Sequence, residues 1–311
     1  MKKISDAVAL GDEAQAGVAQ NKPVVTLEST IIAFGLPYPE NLKMARECED
    51  IIRSEGAVPA TIGIIDGKLK IGLDENELEQ FAIRKDIVKT NLSNIAAVCA
   101  RGIWGATSVS TSLMATSLAG IGVFVTGGIG GVHKGFGESF DISSDLTALS
   151  RYRAIVVSAG VKSLLDVRAS LEYLETMGIP VLGYGTDSFP VFYIRQSPYR
   201  VDMRVNSPEE AVAVFTAQEA LGHKTSLLTA VPVPAEAALS SAEVEAALAK
   251  AEAFIKKEGD VHGRDVTPAI LKQMNEITGG RCLKANLALI KNNARVGAMI
   301  ARELSRRNTA H

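Results

Sequence analysis

Lys162 is the side chain with the clearest potential for covalent chemistry, because of the sequence AIVVSAGVKSLLD that surrounds it. The run Ala154–Ser158 predicts a buried strand, Ala159-Gly160 breaks it, and an apolar helix pattern follows. Apolar surroundings favour a neutral amine over an ammonium, and a neutral amine can attack a carbonyl to form a Schiff base. The alternative is a lysine whose stem packs while its ammonium reaches water.

Three further polar residues lie where predicted elements end or begin. Glu28 ends the apolar run Val24–Leu27, where burial could raise its pKa into the range of a general acid, or it could cap a helix. Lys89 ends a short apolar run and could receive a phosphate, although an exposed lysine would have the same sequence. Asn286 opens a long predicted helix, where it could donate to a ligand or cap the helix.

A glycine-rich turn follows the apolar run Val123–Thr126, in the sequence TGGIGG. Glycines permit positive φ and can leave backbone N–H groups open to an anion. Two nucleotide-binding motifs fail here, because His133 stands where a dinucleotide fingerprint needs glycine and Phe136 stands where a P-loop needs lysine. The sequence therefore predicts either a tight turn between closely spaced backbones or one wall of a sugar or phosphate pocket.

Two aspartates, Asp141 and Asp145, lie four residues apart in SFDISSD, so on a helix they would share one face. Like charges at that spacing are poorly stable unless a cation or substrate hydroxyls lie between them. Oxygen ligands of this kind suit Mg²⁺ or Mn²⁺, with water completing the shell. In the alternative, Ser143 simply caps a helix that begins at Ser144-Asp145.

The elements that would position these residues alternate between short strands and amphipathic helices. This alternation predicts an α/β fold with a mainly parallel sheet in an α/β/α sandwich, and Asp66-Gly67 between two alternating runs predicts a small antiparallel side sheet. In a parallel sheet, all of the residues above would lie on one edge. We predict a single domain over residues 1–311, with an N-terminal helical extension over 1–20 and a helical C-terminal wrap over about 240–311.

The predicted boundaries follow from apolar runs, helical periodicity and turn residues. The predicted strands are Val24–Leu27, Ala60–Ile65, Lys68–Ile71, Val123–Thr126, Ala154–Ser158, Val181–Gly183 and Ser226–Ala230. The predicted helices include Asn41–Ser54, Glu75–Ala82, Ile95–Ala100, Thr111–Ala119, Leu164–Met177, Pro208–Ala220, Ala242–Lys257, Pro268–Ile277 and Asn286–Arg306.

Composition excludes several classes of protein. The chain has 311 residues, 47% of them hydrophobic, with 33 basic and 35 acidic residues and no basic block, so we expect neither a nucleic-acid nor a membrane partner. Its three cysteines are scattered, which argues against a disulfide scaffold or a cysteine zinc site. The N-terminus lacks the apolar run of a signal peptide. We therefore expect a soluble protein of the cytoplasm.

The sequence resembles the pseudouridine-5′-phosphate glycosidase family, also known as indigoidine-synthase-A-like proteins. The likeness runs from about Lys22 to about Glu303. It is carried by long blocks in the same order, which are PVVTLESTIIAFGLPYPEN, GAVPATIGIIDGKLKIGL, GATSVSTS, VFVTGGIGGVHKG, SFDISSDL, VSAGVKSLLD, LEYLETMGIPVLGY and LKANLALIKNNA.

The resemblance implies an activity and a role for each site residue. The family reversibly cleaves the C–C glycosidic bond of pseudouridine 5′-phosphate, giving uracil and ribose 5-phosphate, with a divalent metal that is usually Mn²⁺. The resemblance also implies a homotrimer with an α/β/α core. It matches Lys162 to the Schiff-base nucleophile, Glu28 to the proton donor and Asp141 to the metal position. The residues matched to substrate contacts are Lys89, Val109, Thr126, His133, Ser143, Ser144, Asp145 and Asn286.

The chain departs from the family pattern at two places. Phe34 stands where a histidine is common, and the two arginines that often follow the residue matched by Lys89 are absent. Phosphate binding would then fall to Lys134 or to main-chain amides. Two alternatives therefore stay open, which are a paralogous lyase or glycosidase acting on another phosphorylated C-glycoside, and a sugar-phosphate-binding protein without catalysis.

Overall fold

The strands of the protein form one extended sheet with a parallel part and a smaller mixed part. The computed structural model describes residues 8–258 and 266–309, and the sheet within them has eleven strands. In chain order these are β1 (Val8–Leu10), β2 (Val24–Leu27), β3 (Val58–Ile65), β4 (Lys68–Ile71), β5 (Val88–Thr90), β6 (Gly105–Thr107), β7 (Val123–Val125), β8 (Ile155–Ser158), β9 (Val181–Tyr184), β10 (Met203–Val205) and β11 (Leu227–Ala230).

Strand β3 is common to both parts of the sheet. Its first half pairs in parallel with β2, in the order β3-β2-β7-β8-β11-β9-β10, and every neighbouring pair in that order is parallel. Its second half pairs in antiparallel fashion with β4 on one side and with β6 on the other. Strands β1 and β5 extend this smaller part by pairing in parallel with β4 and β6.

Helices cover both faces of the parallel part. They are α1 (Asp12–Ala19), α2 (Glu40–Ser54), α3 (Glu75–Ile83), α4 (Ile95–Ala100), α5 (Val109–Leu118), α6 (Phe136–Ser139), α7 (Ser144–Arg151), α8 (Val167–Thr176), α9 (Pro208–Ala220), α10 (Ser241–Glu258), α11 (Val266–Ile277) and α12 (Arg281–Thr309). A π-helix spans Ile31–Gly35 and a 3₁₀ turn spans Ala235–Ala237.

The two faces can be read from neighbouring residues of β2, because successive side chains of a strand point to opposite faces. Val25 points towards α12, where a Cβ placed on Gly297 would come within 3.8 Å of the valine Cγ1. Thr26 points the other way, and its hydroxyl lies 2.7 Å from that of Thr116 on α5. The sequence therefore folds as the predicted α/β/α sandwich, with α12 and α2 on one face and α5 on the other.

The predicted hairpin is confirmed, and its turn residues explain why. Strands β3 and β4 pair across Asp66-Gly67, whose φ values of 48° and 77° are the two positive values that a type I′ turn requires. Every predicted strand is found within two residues of its predicted bounds. Strands β1, β5, β6 and β10 were not predicted, because three residues are too few to show a period.

Two helical segments differ from their predicted bounds or are only partly described. Helix α12 begins at Arg281, five residues before its predicted start, and α1 lies inside the predicted N-terminal extension, of which residues 1–7 fall outside the described part of the chain. Within the described ranges, none of the helices combines the length and the apolar character needed to cross a bilayer.

Candidate active site

The carboxyl ends of three neighbouring strands bring the predicted catalytic residues to one edge of the sheet. Glu28 directly follows β2, Thr126 directly follows β7, and Lys162 lies four residues beyond the end of β8. Because β2 pairs in parallel with β7, and β7 with β8, these three chain segments are adjacent. The prediction that the site residues lie on one edge of the sheet is therefore confirmed for Glu28, Thr126 and Lys162.

A cleft of about 80 Å³ opens at this edge and contains four of the predicted site residues. Its polar lining residues include Glu28, Lys89, Lys162 and Asn286, and its apolar lining residues include Ile31, Phe34, Phe192 and Leu271. Lys89 reaches the cleft from β5, in the smaller part of the sheet. A chamber of about 510 Å³ adjoins the cleft and shares Phe34, Gly35, Leu271 and Asn286 with it.

Glu28 is a buried carboxylate with one defined partner. Its side chain is 9% exposed, and Oε1 accepts a short hydrogen bond from the hydroxyl of Thr126. Burial raises the pKa of Glu28 above that of an ordinary glutamate, against the opposing effects of the Lys162 charge and the Thr126 hydroxyl. The carboxyl group therefore stays protonated to higher pH than usual, as a proton donor near neutrality requires.

Lys162 is half-buried, and a tight bend after β8 places it. Gly160 has φ 82°, and a Cβ there would lie 2.0 Å from the carbonyl oxygen of Pro190, so only glycine fits this bend. The Lys162 amide then donates to the carbonyl of Ile129, at 3.1 Å, which joins the segment to the glycine-rich turn. The amine consequently lines the same cleft as Glu28, and the Lys162 charge acts on the pKa of that carboxyl group.

The glycines of the glycine-rich turn are not there to permit positive φ, which was one of the roles predicted for them. None of its four glycines has positive φ, so conformational freedom is not the reason for their presence. A Cβ on Gly128 would lie 2.5 Å from the ring of Phe192, and one on Gly130 would lie 2.2 Å from Ser143 Oγ and 2.8 Å from Asp145 Oδ2. The glycines allow close packing, as the tight-turn alternative predicted, and Gly127 and Gly128 also form part of the wall of the cleft.

We expect Gly130→Ala to destabilise the protein by about 1–3 kcal/mol, because the new methyl group overlaps Ser143 and a buried carboxylate that cannot move freely. Urea denaturation measures the change. Gly137→Ala is the matched control, since a Cβ at that position meets nothing within 4 Å and its φ is not positive. Equal stability of the two variants would contradict the close packing of this turn.

The two aspartates do not form the predicted pair on one helix face. Asp141 precedes α7 and its side chain is 58% exposed, whereas Asp145 lies in the first turn of α7 and is buried. The Asp145 carboxylate accepts from the amides of Ser110, at 3.0 Å, and Gly130, at 2.8 Å. The anion that the glycine-rich turn binds is therefore Asp145 of the same chain, and a direct substrate contact by this carboxylate stays a prediction.

The capping alternative for the serines of this segment is confirmed. Ser143 is the N-cap of α7, and its hydroxyl accepts from the amide of Asp145 at 3.2 Å. Ser144 donates its hydroxyl to that of Ser110, at 3.0 Å, on the first turn of α5. The start of α7 is therefore tied to the start of α5.

The start of α5 also lies beside Lys89. Val109 is the first residue of α5 and is buried, and the amide of the preceding Ser108 donates to the carbonyl of Thr90, the last residue of β5. The Ser108 side chain makes no capping hydrogen bond. A helix N-terminus next to a lysine suits an anion, because its N–H groups and dipole favour negative charge.

Asp141 and His133 are the predicted residues best placed to hold a metal. The His133 Nδ1 lies 3.7 Å from Asp141 Oδ2, and the His133 amide donates to the Asp141 carbonyl at 3.0 Å. Among the described residues, no group of three or more histidines, cysteines, aspartates or glutamates is arranged to hold a metal. One carboxylate and one imidazole fit a hard cation whose shell is mostly water, as Mg²⁺ and Mn²⁺ accept.

Two asparagines of α12 complete the site. Asn286 lies inside α12 and not at its start, so the capping alternative is wrong, and its buried Oδ1 has no hydrogen-bond partner among the described residues. An unpaired buried acceptor that borders a cleft suits a ligand donor. Asn293, which sequence reasoning missed, donates to the carbonyls of Thr126 and Gly127, at 2.9 and 3.3 Å, and so holds the segment that supplies the partner of Glu28.

The apolar walls were also missed. Phe192, with φ 54°, and Leu271 arrive from segments that carry no motif, and Phe34 belongs to the unpredicted π-helix. The π-helix is anchored by Asn41, whose buried amide group donates to the carbonyls of Ile32 and Ala82. π-helices are frequent at functional sites.

Known proteins are similar to this chain in sequence and in fold over nearly their whole length. A family model described as indigoidine synthase A like protein matches residues 13–303. The chain is 48% identical over 297 residues to a pseudouridine-5′-phosphate glycosidase of Caldanaerobacter subterraneus, covering 96% of each, and 50% identical over 293 residues to that of Symbiobacterium thermophilum, covering 93% and 95%. Among solved structures, it is similar to prealnumycin C-glycosynthase in complex with ribulose 5-phosphate, with a TM-score of 0.90 and 36% identity over 99% and 100% of the two chains.

Proposed function

This chain belongs to the indigoidine synthase A-like protein family, and we propose that it is a pseudouridine-5′-phosphate glycosidase. The reaction is the reversible cleavage of the C–C glycosidic bond to uracil and ribose 5-phosphate. The observation that carries the proposal is the placement of the Lys162 amine and a buried Glu28 of raised pKa on one cleft. Relatives of that name at 48% and 50% identity support the substrate.

The chemistry explains why a lysine and a glutamic acid are needed together. A nitrogen or oxygen leaving group can be protonated on its lone pair, but the carbon leaving group of pseudouridine has none. The Lys162 amine adds to C1′ as the bond from C1′ to the ring oxygen breaks, and its nitrogen lone pair then forms the imine as the bond from C1′ to uracil C5 breaks. Glu28 supplies the proton that the ring oxygen or uracil C5 takes as charge develops, and water then hydrolyses the imine to release ribose 5-phosphate.

The phosphate group fits the start of α5 next to Lys89. The N–H groups at Val109 and the Lys89 charge both favour an anion there. Lys134 is less suited to this role than the amides, since its side chain is exposed, pairs with Glu252 at 3.3 Å and does not line the cleft. Main-chain amides then take over the work of the arginines that this chain lacks.

A divalent cation, Mn²⁺ in the first instance, would be held by Asp141 with His133 beside it. When bound, such a cation supplies positive charge that orients water and ribose hydroxyls. A cytoplasmic homotrimer completes the proposal; the trimer rests on the family resemblance, and the three free cysteines support a reducing compartment.

The test is an assay of the purified protein with pseudouridine 5′-phosphate, monitored by release of uracil and of ribose 5-phosphate. We expect the protein to turn over this substrate, a chelator to abolish the activity and Mn²⁺ to restore it. The Asp141→Asn variant should need a higher metal concentration to reach its half-maximal rate. The reverse condensation, run with uracil and then with other bases, separates the main proposal from the paralogue alternative. The 510 Å³ chamber next to the cleft favours that alternative, because it offers room for a larger base.

Absence of turnover with every base, together with binding of ribose 5-phosphate, would identify a sugar-phosphate-binding protein instead. The same assay therefore has a distinct outcome for each of the three functions.

A further inference from the structure

A second, much smaller cavity touches Glu28 from the side of α2. Its volume is about 20 Å³, and apart from the half-buried Ile31 its lining residues are all buried. The polar ones are Glu28, Thr61 and Cys48, and the remaining wall is apolar, with Met44 and Ala45 on α2. None of the steps proposed above uses this cavity, Thr61 or Cys48.

The cavity has the size of a site for a single water molecule, with a few polar groups on a mostly apolar wall. A buried water needs roughly 10–15 Å³ of such space and two to four polar partners. The carboxylate of Glu28 and the hydroxyl of Thr61 provide two of these, and the thiol of Cys48 provides a weak third. Burial raises the pKa of the Cys48 thiol to about 12, so it stays protonated and takes no part as a base.

Thr61 connects the cavity to a second buried carboxylate. Its hydroxyl donates to Glu49 Oε1 at 2.7 Å, and Glu49 Oε2 lies 3.1 Å from Arg53 Nη2. Arg53 also pairs with Glu13 at 2.9 Å on the protein surface, and the Glu49 side chain retains 9% exposure. Polar groups therefore extend from solvent at Glu49 to Thr61, and the cavity separates Thr61 from Glu28.

We propose that one water in this cavity joins Glu28 to Thr61 and Glu49, and that this line returns a proton to Glu28 while substrate fills the cleft. The proposal rests on the proposed role of Glu28 as proton donor. After Glu28 has given its proton to the substrate, the water protonates the Glu28 carboxylate and receives the hydroxyl proton of Thr61. For this step the Thr61 hydroxyl, which donates to Glu49 in the structure, turns to donate to the water and accepts the proton of the protonated Glu49 carboxyl group. Glu49 then regains a proton from solvent, so the net transfer is one proton.

The charges around the two carboxyl groups are compatible with this transfer. Lys162 and Lys89 oppose the rise in the pKa of Glu28 and Asp145 adds to it, while burial dominates. Burial likewise raises the pKa of Glu49, with Arg53 opposing and Glu13 adding to the rise. Burial therefore favours the protonated form of both carboxyl groups.

Cys48 faces a different set of charges, from Lys291, Glu47 and Glu49. Lys291 pairs with Glu47 at the surface, so these two charges oppose each other in their effect on the pKa of the Cys48 thiol.

The test compares Glu49→Gln and Thr61→Val with the parent enzyme. Glu49→Gln keeps the size of the side chain and an acceptor for Thr61 but cannot pass a proton, and Thr61→Val removes the hydroxyl. We expect kcat to fall about tenfold or more in each at unchanged KM, a general acid being worth more than that. The loss should grow with pH, the solvent isotope effect on kcat should increase, and small buffer acids should partly restore the rate.

Two matched controls separate proton transfer from a structural role. Thr61→Ser retains the hydroxyl and should restore the rate and the isotope effect. Asp50→Asn removes an exposed carboxylate on the same helix that also contacts Arg53, at 3.5 Å, and should leave kcat unchanged. If Thr61→Val does not fold, Glu49→Gln carries the test alone, because it conserves shape and hydrogen bonding.

Parent values of kcat, pH profile and isotope effect in Glu49→Gln would overturn the proposal. A lower kcat without a larger isotope effect and without rescue by buffer would also overturn it, since that is the pattern of a structural role. Full activity of Glu28→Gln would instead refute the proposed function. Inactive Glu28→Gln beside fully active Glu49→Gln would refute only the water-mediated line.

Discussion

Lys162→Ala should lose at least about 10⁴-fold in kcat, because the proposed mechanism holds the opened sugar as an iminium ion on this amine. The folded state should lose little stability, since Lys162 is half-buried and its amide, which makes the bond to Ile129, is unaffected by the change. Borohydride reduction in the presence of ribose 5-phosphate should give the parent protein a covalent adduct on Lys162, located by mass spectrometry, and give the variant none.

Lys89→Ala is the matched control, because it removes the other lysine of the cleft. At saturating ribose 5-phosphate it should still form the adduct on Lys162. A Lys162→Ala protein that turned over at near the parent rate, or an adduct found on Lys89 instead, would remove the imine from the mechanism.

Glu28→Gln should lower kcat by about 10²–10⁴-fold, which is the usual worth of a positioned general acid. It should also stabilise the protein, on the order of 2 °C in Tm at neutral pH, because burial penalises the ionised carboxylate that glutamine replaces.

The pH dependence of that stabilisation has a definite sign. The folded pKa of Glu28 is raised, so the folded state holds its proton after the unfolded chain has released one. The stability that Glu28 contributes is therefore complete below the unfolded pKa and is lost as pH rises towards the folded pKa. The advantage of Glu28→Gln should be small at acid pH and should grow towards neutrality and above.

Thermal denaturation of the parent and the variant across that range measures the effect. A constant difference in Tm at all pH values would show that the folded pKa of Glu28 is ordinary. Thr126→Val is informative beside it, because loss of the hydroxyl bond should raise the pKa of Glu28 further and enlarge the pH dependence.

The sequence allowed the sheet to be predicted because buried parallel strands are short continuous apolar runs. Those runs gave β2, β7 and β8 almost to the residue, and the rule that ligands lie at the carboxyl edge then placed Glu28 and Lys162 together. The strand β5, which carries Lys89, has only three residues and is too short to form such an apolar run. Its position follows from pairing with β6, a contact distant in sequence.

Other features could not be predicted because they depend on partners that arrive from elsewhere. The reason for Gly130 is the approach of Asp145, and the environment of Glu28 depends on Asn293, which lies 167 residues from Thr126. The spacing of Asp141 and Asp145 suggested one helix face, but the helix begins between them at Ser144. Local patterns give elements and their edges, whereas hydrogen-bond partners across the fold require the coordinates.

The sharing of β3 between the two parts of the sheet has a consequence for which sugars fit. Glu28 follows β2, which pairs with the first half of β3, and Lys162 follows β8, two strands further along the sheet. Lys89 lies on β5, which reaches the second half of β3 through β6. One continuous strand thus fixes the separation between the point where a carbonyl carbon would be captured and the point where an anion would be held. We therefore expect the enzyme to reject phosphates of four- and six-carbon sugars, because the length between their carbonyl carbon and phosphate does not match this fixed separation.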